Sequence, residues 1–341
     1  MTRIRQGVSL RPFHTFGVSA TAEWFSEAAT VAELQELVEY THAKQLPLLV
    51  LGGGSNVLFT HDPAGMVLLN RIGGIDVVSK TENEVFVRVG AGEVWHSFVM
   101  HCIREGWCGV ENLALIPGSV GASPMQNIGA YGVELESVFY QLEALHIPTG
   151  ETHFFSKDDC QFGYRESVFK RGLKGQYIIT HVTFRLQLQP SIRSTYGAIE
   201  KELERMEVVS PGIRDIAEAV MAIRRSKLPD PKVLGNAGSF FKNPVVPQQQ
   251  FLNLIADFPD MPHYDAGSGQ QKLAAGWLIE QCGWKGRRIG DCGVHVQQAL
   301  VLVNYGQATG EEVFLLSQMV MDDVADRFGV YLEREVNIIG I

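Results

Sequence analysis

The sequence predicts an α+β protein of several domains. Three observations carry that expectation: amphipathic helical stretches that alternate with short apolar strands, two glycine-rich segments set well apart at residues 51–56 and 116–132, and a proline break at residues 228–231 that precedes a second series of alternating elements. At 341 residues, 45% apolar and 20% charged, the chain is long enough for two or three domains with full cores.

Residues 30–45 read as a helix, with Thr30 and Glu33 as a capping-box start and Val31, Leu34, Leu37 and Val38 on one face. Residues 46–51 form a short apolar strand running into Gly52, Gly53 and Gly54. Val85, Val87 and Val89 alternate with polar residues as a half-buried strand, the Gly90-Ala91-Gly92 run ends it, and residues 94–104 read as a helix. The stretch 141–189 is strand-rich, with strands at 142–147, 153–155 and 177–188 and a turn at Pro148-Thr149-Gly150. Pro211 opens a helix whose Ile213, Ile216, Val220 and Ile223 share a face, and Leu228-Pro229-Asp230-Pro231 stops it at a domain boundary. A glycine turn at 235–238, a helix near 272–282, a strand at 299–304 and a helix at 311–328 then make an α/β unit. Residues 330–341 read as an apolar strand carrying two carboxylates that packs back onto an earlier domain.

Composition excludes several classes. A formal charge of −9 argues against nucleic-acid binding, so any phosphate site must be a local basic patch. Arg3 and Arg5 are not followed by an apolar run and no stretch is long enough to cross a bilayer, so a soluble, cytoplasmic protein is expected. Cys102, Cys108, Cys160, Cys282 and Cys292 form an odd, scattered set that fits a reducing compartment better than a disulfide framework.

The chemistry is concentrated in the glycine segments. Leu51-Gly-Gly-Gly-Ser-Asn56 and Ile116-Pro-Gly-Ser-Val-Gly-Ala-Ser-Pro-Met-Gln-Asn-Ile-Gly-Ala-Tyr-Gly132 lack charged side chains, and successive amides in such turns form an anion-binding concavity. One glycine turn alone is ordinary punctuation; the second segment is too long and too irregular for that and reads as a ligand cradle. The pair suggests a pyrophosphate held by backbone. No G-x-G-x-x-G turn, P-loop, His-Glu-x-x-His, Cys-x-x-Cys or Gly-x-Ser-x-Gly motif is present, so Rossmann, P-loop, zinc and serine-hydrolase chemistry have no support and no metal is expected.

Taken with Gly163-Tyr-Arg-Glu-Ser-Val-Phe-Lys, Leu228-Pro-Asp-Pro-Lys, Gly235-Asn-Ala-Gly-Ser-Phe-Phe-Lys-Asn-Pro and Leu332-Glu-Arg-Glu-Val, these segments give a chain that resembles the UDP-N-acetylenolpyruvoylglucosamine reductases (MurB), from Thr15-Phe-Gly to Ile338-Ile-Gly. The resemblance implies an FAD-binding unit of two subdomains, of the vanillyl-alcohol oxidase type, and a C-terminal α/β substrate domain. The implied boundaries are 1–70, 71–226 and 227–329, with 330–341 as a terminal strand returning to the FAD-binding unit. It implies NADPH-dependent reduction of UDP-N-acetylglucosamine enolpyruvate to UDP-N-acetylmuramate in peptidoglycan synthesis. The hydride passes from flavin N5 to C3 and a proton from Ser239 to C2.

The residues matching the family's catalytic positions are Arg165, Ser239 and Glu335. Hydride addition at C3 leaves negative charge at C2 delocalised into the carboxylate, which an arginine fork can bind and a proton donor must quench. Arg165 competes with an ordinary salt-bridge reading, Ser239 with a helix N-cap after a glycine turn, and Glu335 with a solvated strand carboxylate such as its neighbour Glu333. Glu335 can be protonated, oriented by Arg165, or polarising the substrate carboxylate through a shared proton; the residue types leave these open.

By the same resemblance FAD is held by Gly52, Gly53, Gly54, Ser55, Asn56, Pro117, Gly118, Ser119, Gly121, Ala122, Ser123, Gln126, Asn127, Gly129, Ala130, Tyr131, Ile179 and Arg224. Tyr196, Lys227, Asn243, Tyr264 and Gln298 match the UDP-sugar contacts. NADPH is expected in the same pocket as the substrate, in ping-pong order, with Tyr264 on a mobile loop that closes over substrate, as in the longer MurB subtype, and a monomeric protein. The chain departs from many relatives at Arg334, where proline is frequent, and at Asn337, where arginine is frequent. Two other readings are another FAD oxidoreductase of this fold and a nucleotide-sugar binding protein without redox function.

Overall fold

A computed structural model describes residues 3–190 and 197–340. The apolar strand before the first glycine turn forms as Leu48–Leu51, the outer strand of a four-stranded sheet ordered Arg5–Ser9, Thr21–Ala28, Met66–Asn70, Leu48–Leu51. Thr21–Ala28 and Leu48–Leu51 both run parallel to Met66–Asn70. That central strand is buried throughout, as a parallel strand between two neighbours should be. Parallel pairing needs a crossover, and the helix Val31–Lys44 supplies it. Thr30 caps it by accepting from the Glu33 amide, but Glu33 returns to the amide of Ala29 at 2.7 Å, so the box closes one residue upstream of the position expected.

A second, antiparallel sheet is ordered Thr152–Ser156, Phe139–His146, Tyr177–Gln187, Glu84–Gly90, Ile75–Lys80. The period-two pattern of Val85, Val87 and Val89 puts all three on the buried face with Val182, Phe184 and Leu186, beneath Trp95, Phe98 and Val99 of the helix Trp95–Glu105. Ile216, Ala217, Ala219, Val220 and Ile223 of the helix Ile213–Lys227 complete that core. This helix starts two residues after Pro211, with the Gly212 amide bonded to Asp215 Oδ2 at 2.8 Å.

The chain divides into two compact units. One comprises the residues up to Val8, Ala22–Gly54 and Ala64–Ser226; the other comprises Ser9–Thr21, Ser55–Pro63 and the residues from Lys227 onward. Both sheets above belong to the first unit. Residues 9–21 and 55–63, expected with the first FAD subdomain, instead join the C-terminal unit, and so does the terminal segment. Main-chain pairing explains this: Asn337–Ile339 runs parallel to Val57–Phe59, the Asn236 amide donates to Thr15 O at 3.1 Å, and Asn304 Nδ2 donates to Phe16 O at 3.1 Å.

The second unit contains a four-stranded sheet ordered Gly235–Ser239, Val301–Asn304, Cys292–Val294, Arg288–Ile289 and a three-stranded sheet ordered Val245–Pro247, Gln270–Leu273, His263–Gly267. Residues 235–238 are thus strand, not turn. The helix expected near 272–282 is Ala275–Gln281, with Lys272 on the preceding strand. The long helix Gly310–Phe328 has a complete capping box between Thr309 and Glu312 and ends at Gly329, whose φ is +62°. The terminal strand is only Asn337–Ile339. All five cysteines are free, and burial pushes the Cys160 thiol up to about 12. Among the described residues no helix is long and apolar enough to cross a membrane, and no cluster of His, Cys, Asp or Glu could hold a metal ion.

Gly310 lies so close to the Phe59 carbonyl that a β-carbon there would collide with main chain. Helix propensity alone favours alanine over glycine by about 1 kcal/mol, yet Gly310→Ala should destabilise the protein by about 3 kcal/mol because backbone cannot move aside as a side chain can. Thermal unfolding checks the sign: a lowered midpoint is expected, and a raised one would refute the close approach.

Candidate functional site

The strand Leu48–Leu51 delivers Gly52 and Gly53 against the second glycine segment, backbone on backbone. A β-carbon on Gly53 would lie 2.7 Å from Gly118 Cα, one on Gly52 would strike Ser119 Oγ, and one on Gly121 would strike the Ala91 methyl. Gly118 has φ +114°, a conformation open to glycine. The segment is pinned from behind: Val120 N donates to Glu93 O at 2.8 Å, Gly121 N to Ala91 O at 2.9 Å and Trp95 N to Gly118 O at 3.0 Å. A tight turn, Val120–Ala122, follows, and Ser123 Oγ closes it on Val120 O at 2.6 Å. In this cradle Ser119 Oγ is buried without a hydrogen-bond partner. A buried hydroxyl left unpaired is costly, and an anion oxygen would satisfy it. The geometry therefore fits the pyrophosphate of a dinucleotide cofactor.

The other expected cofactor residues differ in what they touch. Asn127 is fully buried with φ +43°; its Nδ2 donates to Glu134 Oε2 at 3.0 Å and to Gly163 O at 3.3 Å, and its Oδ1 accepts from Glu136 N at 3.0 Å. It shapes the loop. Gln126 and Gly129 are half-buried, and Ala130 lies in a two-residue strand, Gly129–Ala130, paired with Val133–Glu134. Pro117 and Ala122 are exposed and Gly54 is buried. Ile179 is a buried strand residue whose carbonyl accepts from Asn70 Nδ2 at 2.9 Å. Ser55 and Asn56 belong to the second unit, where Asn56 Nδ2 donates to the Glu335 carbonyl at 3.3 Å.

Two arginines stand beside the second half of the cradle. Arg165 occupies a four-residue turn in which Gly163 and Glu166 exchange both backbone bonds at 3.1 Å, and its φ is +54° where glycine or asparagine is usual. Its Nη2 donates to Gly129 O at 2.8 Å. Arg224, on the helix Ile213–Lys227, is pulled below the ordinary guanidinium value by burial; Tyr131 opposes this through its charge and a hydrogen bond, and Arg165 adds repulsion. Its Nε is buried without a hydrogen-bond partner. Two neighbouring guanidinium groups, one of them strongly desolvated, make a local positive field in a chain of net negative charge.

In the second unit Ser239 ends the strand Gly235–Ser239, opposite Val301, after a bulge. Asn236 makes the bulge: its Nδ2 donates to Pro229 O at 3.2 Å and Leu234 O at 2.8 Å, and its Oδ1 accepts from Gly238 N at 2.9 Å, where φ is +70°. Phe240 N continues the pairing onto Leu300 O at 2.7 Å, so Ser239 is not a helix N-cap. Glu335 is brought alongside: Glu335 N donates to Phe240 O at 2.8 Å, Lys242 N donates to Glu333 O at 2.9 Å, and Phe241 bridges Arg334. Glu335 is half-buried, whereas Glu333 is exposed and pairs with Lys242 Nζ at 2.5 Å. Arg334 fastens the opposite side, with Nε on Ser317 Oγ and Nη2 on Gln318 Oε1, both 2.8 Å, and its guanidinium over Phe314. Asn337 donates through its amide and Nδ2 to Asn56 O at 3.1 and 3.0 Å.

The remaining expected substrate residues divide. Asn243 Oδ1 accepts from Ala275 N at 3.0 Å and Gln298 Oε1 accepts from Leu300 N at 3.3 Å, so both are held by main chain. A β-carbon on Gly276 would sit 3.2 Å from Gln298 Oε1, which brings Asn243 and Gln298 to the start of one short helix, Ala275–Gln281. Lys227 is exposed at a helix end. Tyr264 is 52% exposed on the strand His263–Gly267, opposite Lys272, and not on an irregular loop. Tyr196 lies outside the described residues. Sequence reasoning missed Trp95, His96, Asn236 and Lys242; a helix that starts four residues after a glycine-broken strand was the available signal for the first two.

Comparison with known proteins accords with these sites. Residues 230–339 match the family profile described as UDP-N-acetylenolpyruvoylglucosamine reductase, C-terminal domain, and residues 23–156 match an FAD binding domain. UDP-N-acetylenolpyruvoylglucosamine reductase of Amoebophilus asiaticus is 48% identical over 98% of this chain and 99% of its own; that of Pseudomonas fluorescens (strain Pf0-1) is 49% identical over 98% of both. The chain belongs to the UDP-N-acetylenolpyruvoylglucosamine reductase family. The solved UDP-N-acetylenolpyruvylglucosamine reductase (MurB) of Thermus caldophilus is similar over 100% of both chains, at 25% identity and TM-score 0.70, which establishes the fold. The fold class is α+β, an FAD-binding part followed by the family's C-terminal domain, and the FAD-binding match contains both glycine segments.

Gly53→Ala should cost about tenfold or more in flavin retention, since its β-carbon would force the two backbones apart. Flavin absorbance relative to protein in the purified variant measures this, with Gly172→Ala, where a β-carbon meets nothing within 4 Å, as the control. Equal flavin content in the two would remove Gly53 from the cradle.

Proposed function

We propose that this chain reduces UDP-N-acetylglucosamine enolpyruvate to UDP-N-acetylmuramate for peptidoglycan synthesis, with NADPH as electron donor and FAD as cofactor. The observation that carries the reading is the cradle of Gly52, Gly53 and Gly118 with the unpaired, buried Ser119 hydroxyl, in a chain related over its whole length to this family. Ser119, whose buried hydroxyl is unpaired, and Arg224 would hold the dinucleotide. Bound there, FAD would supply the hydride-transfer chemistry between NADPH and C3 of the enolpyruvyl group.

The chain's own residues handle charge and protons. Arg165, fixed in its turn, binds the substrate carboxylate that takes up negative charge as C3 gains hydride; a planar fork suits two carboxylate oxygens where a point charge would not. Ser239 gives its hydroxyl proton to C2, and the bulge built by Asn236 fixes where that hydroxyl stands. Glu335, main-chain bonded to Phe240 and half-buried, keeps Ser239 supplied with a proton or polarises the carboxylate. Hydride at C3 and proton at C2 together saturate the double bond, so the two additions balance.

Lys227, Asn243, Tyr264, Gln298 and Tyr196 bind the UDP-sugar. Asn243 and Gln298 are prepositioned by main-chain bonds, whereas Tyr264, on an exposed hairpin, is free to fold onto bound ligand. NADPH and substrate use one pocket in turn, and the protein acts as a cytoplasmic monomer. The first unit holds the cofactor and the second the sugar nucleotide.

Anaerobic stopped-flow spectra separate the half-reactions. Ser239→Ala should leave flavin bleaching by NADPH within about twofold of the parent while slowing reoxidation by the enolpyruvyl substrate by about a thousandfold, the scale of a lost proton donor. Equal slowing of both would remove Ser239 from proton transfer. Reoxidation by oxygen alone would make the chain a different flavin oxidoreductase, and a protein that stays colourless after FAD is added yet binds the sugar nucleotide would be a binding protein.

A further inference from the structure

We propose that His96 is a positioning residue of the cofactor cradle: its Nδ1 holds the Leu115 amide, and with it the approach of residues 113–118 to the dinucleotide. This rests on the reading of the cradle as an FAD site. The first turn of the helix Trp95–Glu105 touches that segment three times. Trp95 Nε1 donates to Leu113 O at 2.9 Å, Leu115 N donates to His96 Nδ1 at 3.1 Å, and Trp95 N donates to Gly118 O at 3.0 Å. Leu115, between the first and last of these, has φ +60°, a conformation that a leucine does not keep unaided. The bond from its amide to His96 holds it there, two residues before Pro117 and three before Gly118. Pro117 restricts Ile116, so the bend at Leu115 sets the path of the chain into the cradle.

An accepting Nδ1 places the imidazole proton on Nε2. His96 is the one titratable group in this set of contacts, since residues 113–118 carry none. Arg225 and Arg224 face it from the helix Ile213–Lys227, and Glu93, on its own side, is engaged with the Gly74 amide at 2.8 Å. Burial, then Arg225 and Arg224, hold His96 below the usual imidazole range. The neutral form is therefore the working form at neutral pH. Acidification through the lowered value charges the ring, removes the acceptor from Leu115 and adds a third cation beside the arginines. FAD affinity should be fully present above the ordinary histidine value and fall as pH drops through the lowered one.

The test uses the full chain, stripped of flavin and reconstituted, with FAD binding followed by flavin fluorescence at about pH 7.5 and about pH 5.5. His96→Leu should weaken FAD by about tenfold or more at the higher pH, the loss expected when a part-buried amide is left unpaired. His96→Asn, whose amide oxygen can accept from Leu115, should stay within about threefold of the parent. The parent should lose affinity on acidification and His96→Asn should not. The proposal is overturned if His96→Leu binds FAD like the parent, if His96→Asn is as weak as His96→Leu, or if parent and His96→Asn weaken in parallel at low pH. Should His96→Leu not fold, the pH comparison of parent and His96→Asn decides alone. A parent that binds no FAD would refute the cofactor reading itself, a different result from any of these.

Discussion

Two main chains meet at Gly53 and Gly118 with no room for a β-carbon between them. Most of what surrounds the cradle follows from that approach. Gly53 is placed by a parallel strand locked to Met66–Asn70, and Gly118 by main-chain bonds to Trp95 and, through Val120 and Gly121, to Glu93 and Ala91. Each partner is fixed by its own sheet, so the close approach does not rely on side chains that could rotate away. The result is a surface lined by main chain with the unpaired Ser119 hydroxyl buried in it, which suits an anion that spreads its charge over several oxygens.

The second unit solves a different problem with little main-chain material. The Lys242 and Glu335 amides bond residues 333–335 to the chain just beyond Ser239. Two hydrogen bonds of about 1 kcal/mol each do not fix a register. Alternation along an extended chain sends Glu333 and Glu335 to one side and Arg334 to the other, and both sides are tied: Glu333 to the nearly buried Lys242, Arg334 to Ser317, Gln318 and the Phe314 ring. Beyond them Asn337 and Asn56 lock the start of the parallel pair. Arg334 and Asn337 thus both have local structural work here.

Local signals were legible where one element decides them. The cap at Thr30, the alternation of Val85 to Val89 and the stop before Pro229 needed only neighbours in sequence. What sequence did not show was placement set by distant main chain. Residues 235–238 looked like a glycine turn because two glycines flank Asn236 and Ala237, but the nearby Phe16 carbonyl excludes a side chain at Gly235, so the glycine marks a close approach within a strand. Tyr264 looked like loop because no periodicity marks a strand exposed along its whole length. Ser9–Thr21 and Ser55–Pro63 joined the second unit through pairings more than two hundred residues away, beyond any local pattern. Asn127 shares its motif with Gly118 and Gly121, and only its partners show that it braces the loop.

Strain shows where the structure is held against local preference. Among the described residues eight other than glycine have positive φ. Gln45 and Gln161 are helix C-caps, Glu207 follows the helix Gly197–Arg205, and Ser268 sits in the turn of a hairpin. Those four are ordinary chain ends and turns. The other four, Leu115, Asn127, Tyr131 and Arg165, all lie in the two loops of the proposed cofactor and carboxylate site. Each costs on the order of 1–3 kcal/mol and persists only where neighbours over-determine it. The neighbours are on hand: His96 for Leu115, Glu134 and Glu136 for Asn127, Asn112 and Arg224 for Tyr131, and the Gly163–Glu166 bonds for Arg165. Strain concentrated in one region, and stabilised there by polar contacts from fixed elements, is the mark of a loop built to meet a ligand rather than to connect two strands.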